Sequence, residues 1–291
     1  MKKKMNVIAM VLSMIITAAL FAGCGGSAAP EQSVPAPAPA PEPSSVPASA
    51  PSPDPAPVLT GEIMIAAAAS LQNAIEGELI PMFNAEYPGV RVIGTFDSSG
   101  KLQTQIEEGL DAQLFFSAAT KQMGALVEGG YIDASTVTNL LENEVVLITA
   151  TDTETKVDGF ESIGDAANIA VGDPASVPAG QYAEEVLTSL GLWDGISAGA
   201  SLGTNVTEVL NWVAEGSAEV GIVYMTDAAS MPGKVRVIAS APEGTLKTPV
   251  VYPVGMQAGL GEKAEAAEAF LEFLKSPAAL KVFEEYGFKP L

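Results

Sequence analysis

The residues able to do chemistry in this chain are short, polar and mostly uncharged. They recur where strand-like runs give way to helical patterns. In AAAASLQNA, Ser70 stands at the N-cap of a helix. In TFDSSGKL, Ser98 and Ser99 precede a helix beginning at Lys101. In AVGDPASVPAGQYAEEVL, residues 170–187, a strand ends and Gly172, Asp173, Pro174 and Pro178 form a loop. A helix then starts at about Ala179, exposing the amides of Ala179 and Gly180. In GTNVTEVL, Thr204, Asn205 and Val206 make a similar start, and in GIVYMTDAA a strand ends on Tyr224.

Each feature alone has a local explanation. Serine is a preferred N-cap, Gly and Pro build turns, and a strand-terminal Tyr packs. Together they offer four helix starts, two or three hydroxyls and no cation. Free helix-start amides and hydroxyls suit an anion, which they bind through dipoles and hydrogen bonds. Hydrogen bonds to a charged partner are the stronger kind. Several of them, preorganised, would hold a small dianion at about micromolar affinity or better, on the order of −8 kcal/mol.

Enzyme patterns fit poorly. Gly94 and Gly100 are separated by five residues and Lys101 is followed by Leu102, so the Walker loop is not met. Ser98-Ser99-Gly100-Lys101 matches the Ser-x-x-Lys of penicillin-recognising enzymes, but Ser-Asp-Asn and Lys-Thr-Gly are absent. With no His in the chain a His-dependent triad is impossible. The expectation is no catalytic residue; the enzymatic alternative is a serine enzyme using Ser98 and Lys101.

The composition narrows partners further. Net charge is −21, and removing the three lysines of the leader (Lys2, Lys3, Lys4) takes −21 to −24. Nucleic acid and anionic lipid surfaces both need basic patches, so neither is an expected partner. An acidic surface slows electrostatic capture of an anion without forbidding it in a neutral cleft. Residues 1–23 read as a secretory signal with a basic start and an apolar run from about Val7 to Phe21. The ending FAGC resembles a lipobox, which makes Cys24 a lipidation site. Cys24 is the chain's single Cys, so disulfides and a thiolate metal centre are excluded. Residues 24–58 hold 11 of the 21 prolines and read as a polyproline-like tether. Fully extended, its roughly 30 residues reach about 90 Å.

The remainder, 59–291, alternates strands with helices. Strands are expected at 61–69, 90–96, 112–118, 144–150, 168–173, 220–224, 235–240 and 250–256. Helices are expected at 71–87, 101–109, from Ala179 to near Leu190, and at 205–216, with two more closing the chain. That pattern implies an α/β protein with parallel sheets covered on both faces.

Several of these stretches resemble one family. They are Ala67-Ala68-Ala69-Ser70-Leu71, Ser98-Ser99-Gly100, Leu114-Phe115-Phe116-Ser117-Ala118, Ala170-Val171-Gly172-Asp173-Pro174 with Val177-Pro178-Ala179-Gly180, Gly221-Ile222-Val223-Tyr224, and Tyr286-Gly287-Phe288. In order over residues 60–291 they are similar to the periplasmic molybdate-binding proteins of ATP-binding-cassette importers. The resemblance implies a two-lobed type II periplasmic-binding-protein fold, each lobe a mainly parallel sheet flanked by helices, closing on a ligand between them. It implies lobe I from 59–143 plus 250–291 and lobe II from 144–249. It implies oxyanion contacts from Ser70 and Ser99 (hydroxyl and amide), the amides of Ala179 and Val206, and the Tyr224 hydroxyl. The metal would be bound as molybdate, with no direct protein ligand and no cofactor. The implied partners are a permease and ATPase of an importer, reached by a monomer lipid-anchored on the outer face of the cytoplasmic membrane.

Molybdate and tungstate are tetrahedral dianions without a proton at neutral pH, so a donor-only cleft suits them. Protonated phosphate would want an acceptor. Sulfate must be rejected by size, since a smaller ion leaves donors unpaired at about 1–3 kcal/mol each. Molybdate and tungstate are nearly equal in size, so little discrimination between them is expected. A carboxylate facing such a ligand would repel it, so Asp173 should turn away and bond its own loop. The rival readings are a sulfate or phosphate receptor, the serine enzyme, and a surface adhesin on a proline-rich stalk.

Overall fold

The computed structural model describes residues 59–291; the expected signal, Cys24 and the tether lie outside the described residues. Two sheets organise the chain. The first has the order β11-β4-β10-β3-β1-β2. Its strands are β1 (Gly61–Ala68), β2 (Val90–Asp97), β3 (Leu114–Phe116), β4 (Thr138–Asn143), β10 (Val250–Met256) and β11 (Lys289–Pro290). The second has the order β7-β6-β8-β5-β9. Its strands are β5 (Val145–Ala150), β6 (Ile169–Gly172), β7 (Ser201–Gly203), β8 (Val220–Tyr224) and β9 (Val235–Ser240). The chain passes from the first sheet to the second between Asn143 and Val145, and returns between Ser240 and Val250.

The central strands explain themselves. VVLIT in β5 and VGIVY in β8 are buried along their length, and strands covered on both faces read as continuous apolar runs. The α/β class is as expected, but the sheets are mixed rather than mainly parallel. β1 runs parallel to β2 and β3, and β6 parallel to β7 and β8. β10 is antiparallel to β3 and β4, and β5 antiparallel to β8 and β9. The reversals involve the strands on either side of the crossings, where the chain arrives from the other sheet instead of through a covering helix.

Three strands escape the sequence reading, among them the three-residue β7, which is held by parallel pairing with β6. TNLLEN, which forms β4, lacks strand alternation and is held by pairing with β10 and β11. β11 is a two-residue strand following the helix expected to end the chain. β10 shifts register between Tyr252 and Pro253. Pro has no ladder donor and is tolerated in such a strand at a bulge.

The helices that bear on the site are α3 (Ser99–Glu107), α5 (Pro178–Ser189), α7 (Val206–Ala214) and α8 (Met225–Ser230). The expected helix at 71–87 is irregular: a 3-10 turn at Ala69–Leu71, a short α segment, a wide π turn at Ile75–Leu79, then Ile80–Glu86. One apolar core runs through both sheets. Within it an edge-to-face series of rings passes from Phe283 through Phe288, Tyr252 and Tyr224 to Tyr182, with centroids 5.4–6.4 Å apart. Among the described residues no helix is long and apolar enough to cross a membrane.

Candidate functional site

Three hydroxyls come from the first-sheet half. Ser70 follows β1 and lies inside the 3-10 turn, so it is not the N-cap the sequence suggests; Ala68 holds that position. The Ser70 hydroxyl is instead 3.0 Å from the Tyr252 hydroxyl. Ser99 is the first residue of α3, two positions earlier than the sequence pattern indicates, and is fully buried. Its Oγ accepts from the Ala118 N–H at 2.9 Å, which leaves its own hydrogen free to donate elsewhere. Ser98 is the N-cap of α3, yet its hydroxyl makes no capping bond. Among the described residues Ser98 Oγ is buried with no hydrogen-bond partner.

The second-sheet half contributes backbone and one phenol. Val177 caps α5 and cannot bond the first-turn amides, so Pro178 and Ala179 open the helix with the Ala179 N–H unclaimed by a side chain. Gly180 lets this happen. A Cβ there would run into the carbonyl of Gly172, so only glycine allows α5 to start against the end of β6. Asn205 caps α7 by accepting from Glu208 N at 3.0 Å, which leaves the Val206 N–H free. Asp173 accepts from Ala175 N–H at 3.0 Å, bonding its own loop. Tyr224 ends β8, is buried, and its hydroxyl has no hydrogen-bond partner among the described residues. Burial above all holds its pKa well above the ordinary phenol value. The nearby Tyr252, Tyr182 and Asp227 add to the shift, although no well-formed hydrogen bond joins the Tyr224 and Tyr252 hydroxyls. At neutral pH Tyr224 is therefore a donor.

These residues meet. Ser70, Ser98, Ser99, Ala179, Val206 and Tyr224 line one small, tight cavity, and small apolar residues complete the wall. No charged side chain lines it. Lys101 is turned to Asp97 at 3.3 Å, and Ser98 Oγ has no partner, so no Ser–Lys pair is formed. Among the described residues no three His, Cys, Asp or Glu gather as a metal site. What the cavity offers is hydrogen-bond donors from helix starts and hydroxyls in a place water does not dilute, the chemistry of oxyanion recognition. Thr204 does not line it.

The two halves also grip each other around the cavity. Gly100 N–H donates to the Ser176 carbonyl at 2.9 Å, Gln122 Nε2 to Gln181 Oε1 at 3.2 Å, and Asn205 Nδ2 to Asp97 Oδ1 at 3.3 Å. The cavity is thus closed by contacts distinct from its own lining.

Ser98 entered the sequence reading only as a residue before a helix and as a candidate nucleophile. Its free, buried hydroxyl depends on the absence of a cap bond, which no spacing reveals. Tyr252 and Asn143, which stand behind Ser70, carry no local sequence signal for a site at all.

Known proteins agree with this architecture. Residues 63–289 match the bacterial extracellular solute-binding protein family. The chain is 39% identical over 226 residues to YvgL of Bacillus subtilis (strain 168), provisionally described as an ABC transporter substrate-binding lipoprotein, covering 78% of this chain and 85% of that one. It is 38% identical over 234 residues to the molybdate-binding protein ModA of Escherichia coli (strain K12), covering 78% and 89%. Among solved structures, the substrate-binding domain of a provisionally assigned molybdenum ABC transporter from Clostridium difficile is 38% identical, with a TM-score of 0.61, over 79% of this chain and 99% of that one. With the match spanning nearly all the described residues, this chain belongs to the bacterial extracellular solute-binding protein family.

Proposed function

We propose that this protein captures molybdate, and tungstate with little discrimination, and hands it to the permease and ATPase of an ATP-binding-cassette importer. The observation that carries the reading is the uncharged, donor-lined cavity, with two buried hydroxyls, Ser98 and Tyr224, that have no other partner among the described residues. Ser70 and Ser99 would contribute hydroxyl and amide, Ala179 and Val206 their amides, and Tyr224 its phenol. Ser98 adds a hydroxyl of its own. The names of the relatives support molybdate as the ligand. The oxyanion would be cargo held through its oxygens, with no cofactor and no catalysis. Lipidation at Cys24 and the proline-rich tether would hold a monomer at the outer face of the cytoplasmic membrane.

Titration calorimetry of the purified protein with molybdate, tungstate, sulfate and phosphate tests the reading. Molybdate and tungstate should bind with similar affinity, near micromolar or tighter, and the other two at least tenfold more weakly. Equal or stronger binding of sulfate would overturn it in favour of a receptor for another oxyanion. For the anchor, Cys24→Ser should shift the protein from the membrane to the soluble fraction.

A further inference from the structure

A hydroxyl is an ambiguous group: it can donate or accept, and a site for a proton-free anion needs it to donate. Ser70 is the least enclosed of the three cavity serines, and nothing in its own turn fixes its hydrogen. The network behind it does. Asn143, the last residue of β4, accepts from the Glu144 N–H at 2.9 Å through its Oδ1. That fixes which end of the amide faces inward. The inward Nδ2 donates to Thr226 Oγ1 at 2.9 Å and to the Tyr252 hydroxyl at 3.1 Å. An amide NH2 can only donate, so the Tyr252 oxygen is an acceptor in that bond. Tyr252 is fully buried, and its other partner is Ser70 Oγ at 3.0 Å. Were Ser70 to donate to Tyr252, the phenol hydrogen would be left without a well-placed acceptor in the core, which is costly. The phenol therefore donates to Ser70, and the Ser70 hydrogen is released toward the cavity.

We infer that Asn143 and Tyr252 form a one-way hydrogen-bond relay that locks Ser70 as a donor, and that this relay sets the selectivity of the site for proton-free over protonated oxyanions. It rests on the proposed oxyanion reading and names two positioning residues for it. Burial keeps the Tyr252 phenol protonated across the neutral range, so the relay does not reverse there. Its location ties it to both halves of the molecule. Asn143 is the last first-sheet residue before the crossing to β5, Thr226 belongs to α8 beside the second sheet, and Tyr252 precedes the register shift in β10. The bulge thus falls next to the side chain that the relay needs aimed at Ser70.

A double-mutant cycle on the full chain tests this, with Tyr252→Phe, Ser70→Ala and both together, read by calorimetric affinity for molybdate. Tyr252→Phe keeps the ring packed and removes only the hydroxyl. It should weaken molybdate binding about five- to tenfold in the parent and less than twofold when Ser70 is already Ala. It should also narrow the preference for molybdate over phosphate, because Ser70 regains the freedom to accept. A purely structural role for Tyr252 would weaken both backgrounds equally and leave the preference unchanged; that result, or parent-like affinity in Tyr252→Phe, overturns the relay. Asn143→Asp provides a second route should the phenylalanine variant not fold. A carboxylate there can only accept, so Tyr252 would turn toward it. Its charge weakens anion binding with or without the relay, so the readout is the preference for molybdate over phosphate, which should narrow; an unchanged preference overturns the relay. If the parent binds sulfate and not molybdate, the molybdate reading fails while the same cycle, run with sulfate, still decides the relay. Binding of neither anion overturns both.

Discussion

The two walls of the cavity present the same chemistry by different means. The first-sheet side offers, besides the amides proposed for Ser70 and Ser99, the hydroxyls of Ser70, Ser98 and Ser99, whose hydrogens must be aimed by neighbours. The second-sheet side offers the amides of Ala179 and Val206, whose hydrogens are aimed by the helix backbone itself. A hydroxyl can be removed by one substitution, whereas an amide survives nearly all of them. On the proposed reading, the hydroxyl wall is where sequence change would alter affinity, and the amide wall is where only backbone geometry would matter. Tyr224 is the exception, a hydroxyl on the amide side, held in place by burial and ring packing.

The sharpest way to break this contrast is Ser99→Ala. It removes a proposed donor to the anion and strips the buried Ala118 N–H of its acceptor. A loss of about 1–3 kcal/mol, or roughly fivefold to 150-fold in molybdate affinity, is expected by calorimetry. Next is the backbone of the amide wall. Gly180→Ala puts a Cβ into the Gly172 carbonyl and should displace the start of α5. Overpacking of this kind costs about 1–3 kcal/mol, to be read from the denaturant midpoint, with weaker anion binding alongside. A loss of binding there, with no hydroxyl touched, would show that the amides matter as geometry.

The exception has its own signature. Asp227 lies beneath Tyr224, accepting from the Tyr224 N–H at 3.0 Å, and burial raises its pKa to about 7 despite that bond. The folded state thus holds this proton more tightly than the unfolded state. Its contribution to stability is full below about pH 4 and declines as the pH rises toward 7. Asp227→Asn should flatten the fall in thermal midpoint across that window; an unchanged slope would refute the assignment. The smallest effect is expected for Val206→Ala. The Val206 N–H remains, so molybdate affinity should stay within about twofold even though a buried side chain is trimmed. A large loss would mean that the side chain, and not the amide, shapes the cavity.

The residues around the cavity were largely visible in the linear text, because each sits where a strand ends and a helix begins. Ser70, Ser99, Ala179, Val206 and Tyr224 could be named through the family resemblance on those junctions. Other features were hidden for identifiable reasons. TNLLEN becomes β4 only because β10 and β11 flank it. The free hydroxyl of Ser98 reflects a cap bond that is not made. The partners of Ser70 are 73 and 182 residues away, at Asn143 and Tyr252, the first of them acting through the second.

By itself, the sequence determined the α/β alternation, the helix starts and the uncharged character of the candidate loops, since these follow from local patterning and residue type. Only the tertiary structure decided that the sheets are mixed, that two walls close on one cavity, and which way each hydroxyl can point. Hydrogen-bond direction depends on which donors and acceptors are already engaged, and that is a property of contacts between segments distant in the chain.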